Sequence, residues 1–184
     1  MQTEDVQTYR FTREEYHRLG DAGILDEDDR VELLDGELII MSPIGIRHIV
    51  TVRKLNRIFS AKLADRCIVD VQNPMELSEY SEPQPDILLI RLEAASLAAE
   101  PGNVLLIAEV AESSLGYDRG KKLKFYAAAG VQEVWIFNLL ENVIEAHYEP
   151  AGMGYAEERI YKVGERISVR AFPETSFAVE ELLP

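Results

Sequence analysis

Two stretches, Pro85-Asp86-Ile87-Leu88-Leu89-Ile90 and Leu105-Leu106-Ile107-Ala108-Glu109-Val110-Ala111, constrain the fold of this chain more than any others. Each is a short apolar run broken by one carboxylate, and its length and apolar content predict a buried strand. An ionised carboxylate taken out of water costs several kcal/mol unless a cation or a set of donors compensates it. Asp86 and Glu109 therefore raise the question of what their cation is.

The chain has 184 residues, 47% hydrophobic and 28% charged, which suits one globular domain over residues 1–184 with a sizeable core. It contains no apolar run long enough to span a membrane. Its first residues, Met1-Gln2-Thr3-Glu4-Asp5, have neither the basic region nor the apolar core of a signal peptide. The expectation is a soluble, cytoplasmic protein with no membrane partner. The lone Cys67, in an apolar context, reads as a core residue. With 33 acidic against 19 basic side chains the net charge is −14, so the average field repels nucleic acid and any such partner must be held locally. The basic residues gather at Arg47/Arg53/Lys54/Arg57/Lys62 and at Arg119/Lys121/Lys122/Lys124, each equally readable as a solvated helix face.

In chain order, Thr12-Arg13-Glu14-Glu15 predicts a capped helix start, with an end near Gly20 or Gly23. The acidic loop Asp26–Asp29 leads into Val31–Met41, where Asp35-Gly36 between apolar runs predicts a hairpin. Glu32, a carboxylate within that hairpin, reads first as a solvated, edge-facing residue. A long helix is expected from about Arg47 to Asp65, with Val52, Leu55, Ile58, Phe59 and Leu63 on its packed face. His48, near its start, could touch a phosphate or a carboxylate, but no second histidine stands at metal-ligand spacing. After a strand at Cys67–Gln72, Pro83 and Pro85 hold the chain extended and deliver Asp86 at a strand start.

Alternation along the second run puts Leu105, Ile107, Glu109 and Ala111 on one face. The next helix, about Gly116–Ala129, buries Leu123, Tyr126, Ala127 and Gly130, with Lys122 on the shoulder of that face. Lys122 is the lysine best placed to reach inward; an ion pair with Asp118 one turn earlier is the competing assignment. Beyond it, Val134–Asn138 is a buried strand with Trp135 in the core. Asn142–Tyr148, Tyr155–Tyr161 and Arg166–Val169 read as an antiparallel extension of the sheet, and the end from Phe177 as a docked strand or turn.

Taken together, Val31–Glu37, Gln84-Pro85-Asp86, Glu109–Ser114, Tyr117–Leu123 and Ala129–Ile136 resemble the Uma-two family of restriction-endonuclease-like proteins, over about Phe11 to Phe177. The resemblance implies an α/β (α+β) fold of the restriction-endonuclease-like PD-(D/E)XK type, a mixed β-sheet flanked by helices. That superfamily places a lysine two residues beyond the strand acid; here the position is Ala111, and the resemblance implies that Lys122 replaces it from the next helix. It further implies metal-ligand roles for Asp86 and Glu109, with the backbone carbonyl of Val110 beside them, and a supporting role for Glu32. The implied cofactor is Mg²⁺ or Mn²⁺, a hard cation that suits oxygen ligands. The implied activity is metal-dependent endonucleolytic cleavage of DNA phosphodiesters, and cutting of both strands with one site per chain suggests a homodimer. Two other classes stand beside it: a nuclease-fold binding or regulatory module without turnover, and a carboxylate-pair hydrolase such as a glycosidase, which would need no metal.

Overall fold

The computed structural model describes residues 7–26, 29–63 and 65–184; Met1–Asp5, and Glu27 and Asp28 of the acidic loop, lie outside them. The first helix, α1 (Arg13–Asp21), opens on the expected capping box, in which the Glu15 N–H donates to Thr12 Oγ1 and the Thr12 N–H to the Glu15 carboxylate. Strands β1 (Val31–Leu34) and β2 (Glu37–Ile40) then form an antiparallel hairpin. Its turn residues Asp35 and Gly36 have φ of 56° and 76°, as a tight hairpin turn of this hand requires. Gly36 has a second reason to be glycine: a Cβ there would lie 2.5 Å from the Cβ of Arg10.

Helix α2 (Ile46–Leu63) buries Val52, Leu55, Phe59 and Leu63, as its periodicity predicts. The main sheet has six strands in spatial order β3 (Cys67–Val71), β4 (Ile87–Arg91), β5 (Val104–Ala111), β6 (Glu133–Asn138), β7 (Val143–Ala151) and β8 (Gly154–Lys162). Every neighbouring pair is antiparallel except β5 and β6. A parallel pair needs a crossover, and the segment between them supplies it: a single turn α3 (Leu115–Tyr117), a π-helical turn Asp118–Lys122 and α4 (Leu123–Ala128). One sheet face packs Leu106, Ala108, Val110, Trp135 and Phe137 against α2 and the C-terminal segment. The other packs Ile107, Ala111, Val134 and Ile136 against Tyr126 of α4 and Leu34 of the hairpin. Fully burying one such aliphatic or aromatic side chain is worth about 1.5–3 kcal/mol, so the two layers tie the crossover helix firmly to the sheet. Among the described residues no helix is long and apolar enough to cross a membrane.

Three expectations need correction. Leu105 does not share a face with Ile107: the register with β4 passes from Leu89↔Leu106 to Ile90↔Val104, so Leu105 is the extra residue of a bulge and packs with the opposite layer. The Arg166–Val169 segment does not extend the main sheet; β9 (Arg166–Ser168) pairs with β10 (Ser176–Ala178) in a separate ribbon, followed by the short α5 (Val179–Leu182). Finally, the helix expected over Gly116–Ala129 is interrupted by the π-turn. The long loop after Arg91 holds only one 3₁₀ turn, Leu92–Ala94.

Candidate active site

The site is assembled where β4 begins and β5 ends. Asp86 directly precedes β4, and its Oδ2 accepts the Val110 N–H at 2.8 Å and faces His48 Nε2 of α2 at 2.9 Å. Its Oδ1 accepts from Gln72 Nε2 at 3.1 Å. The backbone of Val110 explains why Asp86 fits there. On the β6 side, the Ala111 carbonyl accepts the Leu139 N–H at 2.9 Å, so Val110, one residue back, turns its N–H and C=O to the opposite edge. The last pair joining β5 to β4 is Ile87↔Ala108, which leaves that edge open to the Asp86 side chain.

Glu109 lies on the face toward α4 and is 3% exposed. Its Oε1 accepts from Lys122 Nζ at 3.2 Å and from the Tyr126 hydroxyl at 2.6 Å. Lys122, also 3% exposed, makes a second ion pair at 3.2 Å with Glu32 Oε2. The π-turn makes this reach possible. It widens one helical turn by a residue, so that both Asp118 and Lys122 are buried rather than rotated toward solvent. Among the described residues the ion pairs of Lys122 are therefore with Glu109 and Glu32, not with Asp118. Asp118 instead accepts from Ser114 Oγ at 2.6 Å.

Glu32 overturns its solvated assignment: it is 0% exposed, and both oxygens are held, Oε2 by the Gln84 N–H at 3.0 Å and Oε1 by the Tyr117 hydroxyl at 2.9 Å. A carboxylate on a hairpin strand looks edge-facing when only that strand is considered; the hairpin in fact lies over the crossover helix and covers it.

The cluster thus gathers four carboxylates, Glu32, Asp86, Glu109 and Asp118, around one lysine ammonium, with His48 at the margin. Burial drives the Glu109 carboxyl well above the ordinary range; Lys122 and the Tyr126 hydroxyl oppose this, while Asp118 and Asp86 add to it. Asp118 is raised as well, first by burial, against Lys122 and the Ser114 hydroxyl. For Lys122 burial alone would favour the neutral amine, but Glu109, Glu32, Asp118 and Asp86 outweigh it and keep the ammonium charged. The arrangement carries more negative charge than its own lysine offsets, and added positive charge from a ligand would relieve it. Among the described residues no group of three or more His, Cys, Asp or Glu side chains forms a ready-made metal cage. The oxygens available are those of Asp86 and Glu109, and the Val110 carbonyl on the edge beside Asp86.

Asp86, Glu109, Lys122 and Glu32, all singled out from the sequence, therefore meet in one pocket. Tyr117 and Asp118 also line the pocket, and Tyr126 and Gln72 hydrogen-bond Glu109 and Asp86 behind it; none of the four is marked as a site residue by the sequence. Tyr126, one turn after Lys122, was legible only as a core residue, and nothing in the sequence distinguishes Gln72. His48 does reach a carboxylate, while its Nδ1 is buried without a hydrogen-bond partner. The two basic clusters are largely spent on internal acids and carbonyls: Arg47 on Glu112 and the Leu139 carbonyl, Lys54 on the Leu183 carbonyl, Lys62 on Glu181, Arg119 on Glu145 and Lys121 on Glu37.

Among solved structures the fold is similar to that of "a putative nuclease belonging to DUF820" from Anabaena variabilis ATCC 29413, with a TM-score of 0.75, 13% identity, and coverage of 94% of this chain and 97% of that one. Comparison with curated proteins gives no match. The family described as "Putative restriction endonuclease" matches residues 13–180, nearly the whole chain. With the expected mixed sheet and flanking helices in place and that match extending from α1 into α5, the chain belongs to the Uma2 family.

Proposed function

We propose that this protein is a metal-dependent DNA endonuclease of one domain, with Asp86, Glu109 and the Val110 carbonyl holding a divalent cation. The single observation that carries this reading is the imbalance of four buried carboxylates against one lysine, in one pocket at the end of β5. The family description and the printed description of the structural relative, both naming nucleases, support it. A cation bound by one or two carboxylates with water and substrate phosphate as its other ligands matches what Mg²⁺ prefers. When bound, the cation supplies Lewis-acid polarisation of a phosphate oxygen and a more acidic water.

The remaining roles fall to this chain's own side chains. Lys122, held charged, donates to phosphate oxygen and stabilises the negative charge that builds up in the transition state; it does not abstract a proton. Glu32 is a positioning residue: with both oxygens occupied by donors, it aims Lys122 at Glu109. Tyr126 orients Glu109, and the Val110 N–H and His48 orient Asp86.

The test is cleavage of supercoiled plasmid and of circular single-stranded DNA by wild type and Glu109→Ala, in Mg²⁺, Mn²⁺ and chelator, with melting curves to show that both are folded. Metal-dependent cutting of either circle by wild type alone is expected. If folded wild type cuts neither, a binding module without turnover becomes the better reading. Cutting that persists in chelator would instead revive a metal-free carboxylate pair.

A further inference from the structure

The shape of the pocket bears on which form of DNA can reach the acids. Asp86, Glu109 and Lys122 are 8%, 3% and 3% exposed, so the reacting groups lie at the bottom of a recess and not on a surface. The recess has a volume of about 320 Å³, at the small end of the range for sites that enclose one small ligand. The strap between β2 and α2 lies against the end of β5: a Cβ on Gly45 would be 3.0 Å from Glu112 Oε2, and Arg47 Nη1 is 3.1 Å from Glu112 Oε1. Arg47 also donates to the Leu139 carbonyl at 2.8 Å.

The two walls differ in chemistry. One carries the carboxylates and Lys122; the other, formed by Ile39, Met41, Pro43 and Ile44, is mostly apolar, with Arg30 and Ser42 beside it. A phosphate with an unstacked base attached matches both walls, whereas an intact duplex presents phosphate and sugar at its surface and hides the base faces in the stack. Duplex DNA also carries one charge per about 1.7 Å of axis. This chain has a net charge of −14, and Arg47, Arg119 and Lys121 near the crossover are paired with acids, leaving them poorly placed to follow a duplex backbone.

We infer that the site takes single-stranded DNA, admitting an unpaired nucleotide with its base against the Ile39–Ile44 wall, and discriminates against intact duplex. This rests on the nuclease reading above but is tested separately from it, by binding. Fluorescence anisotropy is measured for a fluorescein-labelled mixed-sequence oligonucleotide, alone or annealed to its complement, with full-length protein in Ca²⁺. Single strand is expected to bind at least about tenfold more tightly than duplex, the effect of burying one base face against aliphatic side chains. Ile44 lines the recess and packs in neither core layer, so Ile44→Ser should keep a melting temperature close to wild type while weakening single-strand binding by about tenfold. Equal or tighter binding of duplex overturns the inference, as does undetectable binding of single strand, or an Ile44→Ser variant that binds single strand as wild type does. Metal-dependent cutting of circular DNA with no single-strand preference leaves the nuclease reading intact and removes only this inference. A single-strand preference without cutting does the reverse.

Discussion

Glu109 on β5 and Glu145 on β7 are both carboxylates buried in the same sheet, and each meets a cation from the crossover segment that follows β5. Their surroundings are otherwise opposite. Arg119 grips Glu145 with Nε at 2.7 Å and Nη2 at 2.5 Å, and Asn138 Nδ2 adds a third donor at 2.8 Å. Burial would raise the Glu145 carboxyl, but those donors outweigh it and hold it below the ordinary range. Glu109 shares its lysine with Glu32 and has Asp86 and Asp118 as neighbours, and its carboxyl is raised. A buried acid in a strand is thus not by itself a sign of function. What separates a structural ion pair from a site ready for a ligand is whether the local cations and donors already balance the acids.

The strongest way to break this contrast is to remove Lys122. Lys122→Met leaves four buried carboxylates with no ammonium, and loss of one partner from a buried charge cluster typically costs about 3–5 kcal/mol. Urea unfolding at neutral pH should show a loss of that size, partly recovered at lower pH as the raised carboxyls protonate. A loss under about 1 kcal/mol would mean that the cluster is balanced in some other way.

Glu133 offers a third buried acid between the two extremes, with one donor on each oxygen: the Trp135 indole N–H at 2.7 Å and the Arg170 N–H at 2.8 Å. Burial pushes its carboxyl from 4.5 up to about 7 in spite of those donors. The folded protein then retains a proton that the unfolded chain releases, so this group's contribution is whole below pH 4.5 and is lost as pH rises through about 7. The full effect is bounded at about 3 kcal/mol. Unfolding free energies from pH 4.5 to 8 should fall over this window in wild type and fall less in Glu133→Gln; identical slopes would show that Glu133 is not the source.

Divalent cation sharpens the contrast from the other side. Mg²⁺ at about a hundredfold over its dissociation constant should stabilise wild type by about 2.7 kcal/mol. The accompanying rise in melting temperature should vanish in Asp86→Asn and persist in Arg119→Met if the cation sits at the Glu109 cluster as proposed. A rise that survives Asp86→Asn would place the cation elsewhere. The smallest effect belongs to Arg119→Met itself. Its side chain is 43% exposed, so water reaches Glu145 when it is lost, and about 1–2 kcal/mol of destabilisation is expected, with cleavage intact.

Much of the architecture was legible because its causes are local. The Thr12 capping box, the Asp35-Gly36 turn and the apolar face of α2 are each settled by hydrogen bonds and sterics within a few residues. Asp86 and Glu109 were legible because an acid in an apolar strand violates the pattern around it, and Lys122 because it stands at the edge of a helical stripe. Glu32 was misjudged, since its cover comes from Tyr117 and Lys122, remote in sequence. The β9–β10 ribbon and the Leu105 bulge were missed because alternation specifies strands but not their partners or register.

The sequence by itself determined where helices and turns begin, which strands carry acids, and the family to which the chain is similar. These rest on short-range preferences that any window of the chain already contains. Only the tertiary structure decided that Glu32 and Glu109 share one lysine with Asp86 and Asp118 close by, that a π-turn brings it inward, that Arg119 is committed to Glu145, and that the strap from Met41 to Gly45 lines the same pocket. Charge balance and access are sums over segments distant in sequence, so they come into being only when the hairpin, the sheet and the crossover helix are packed together.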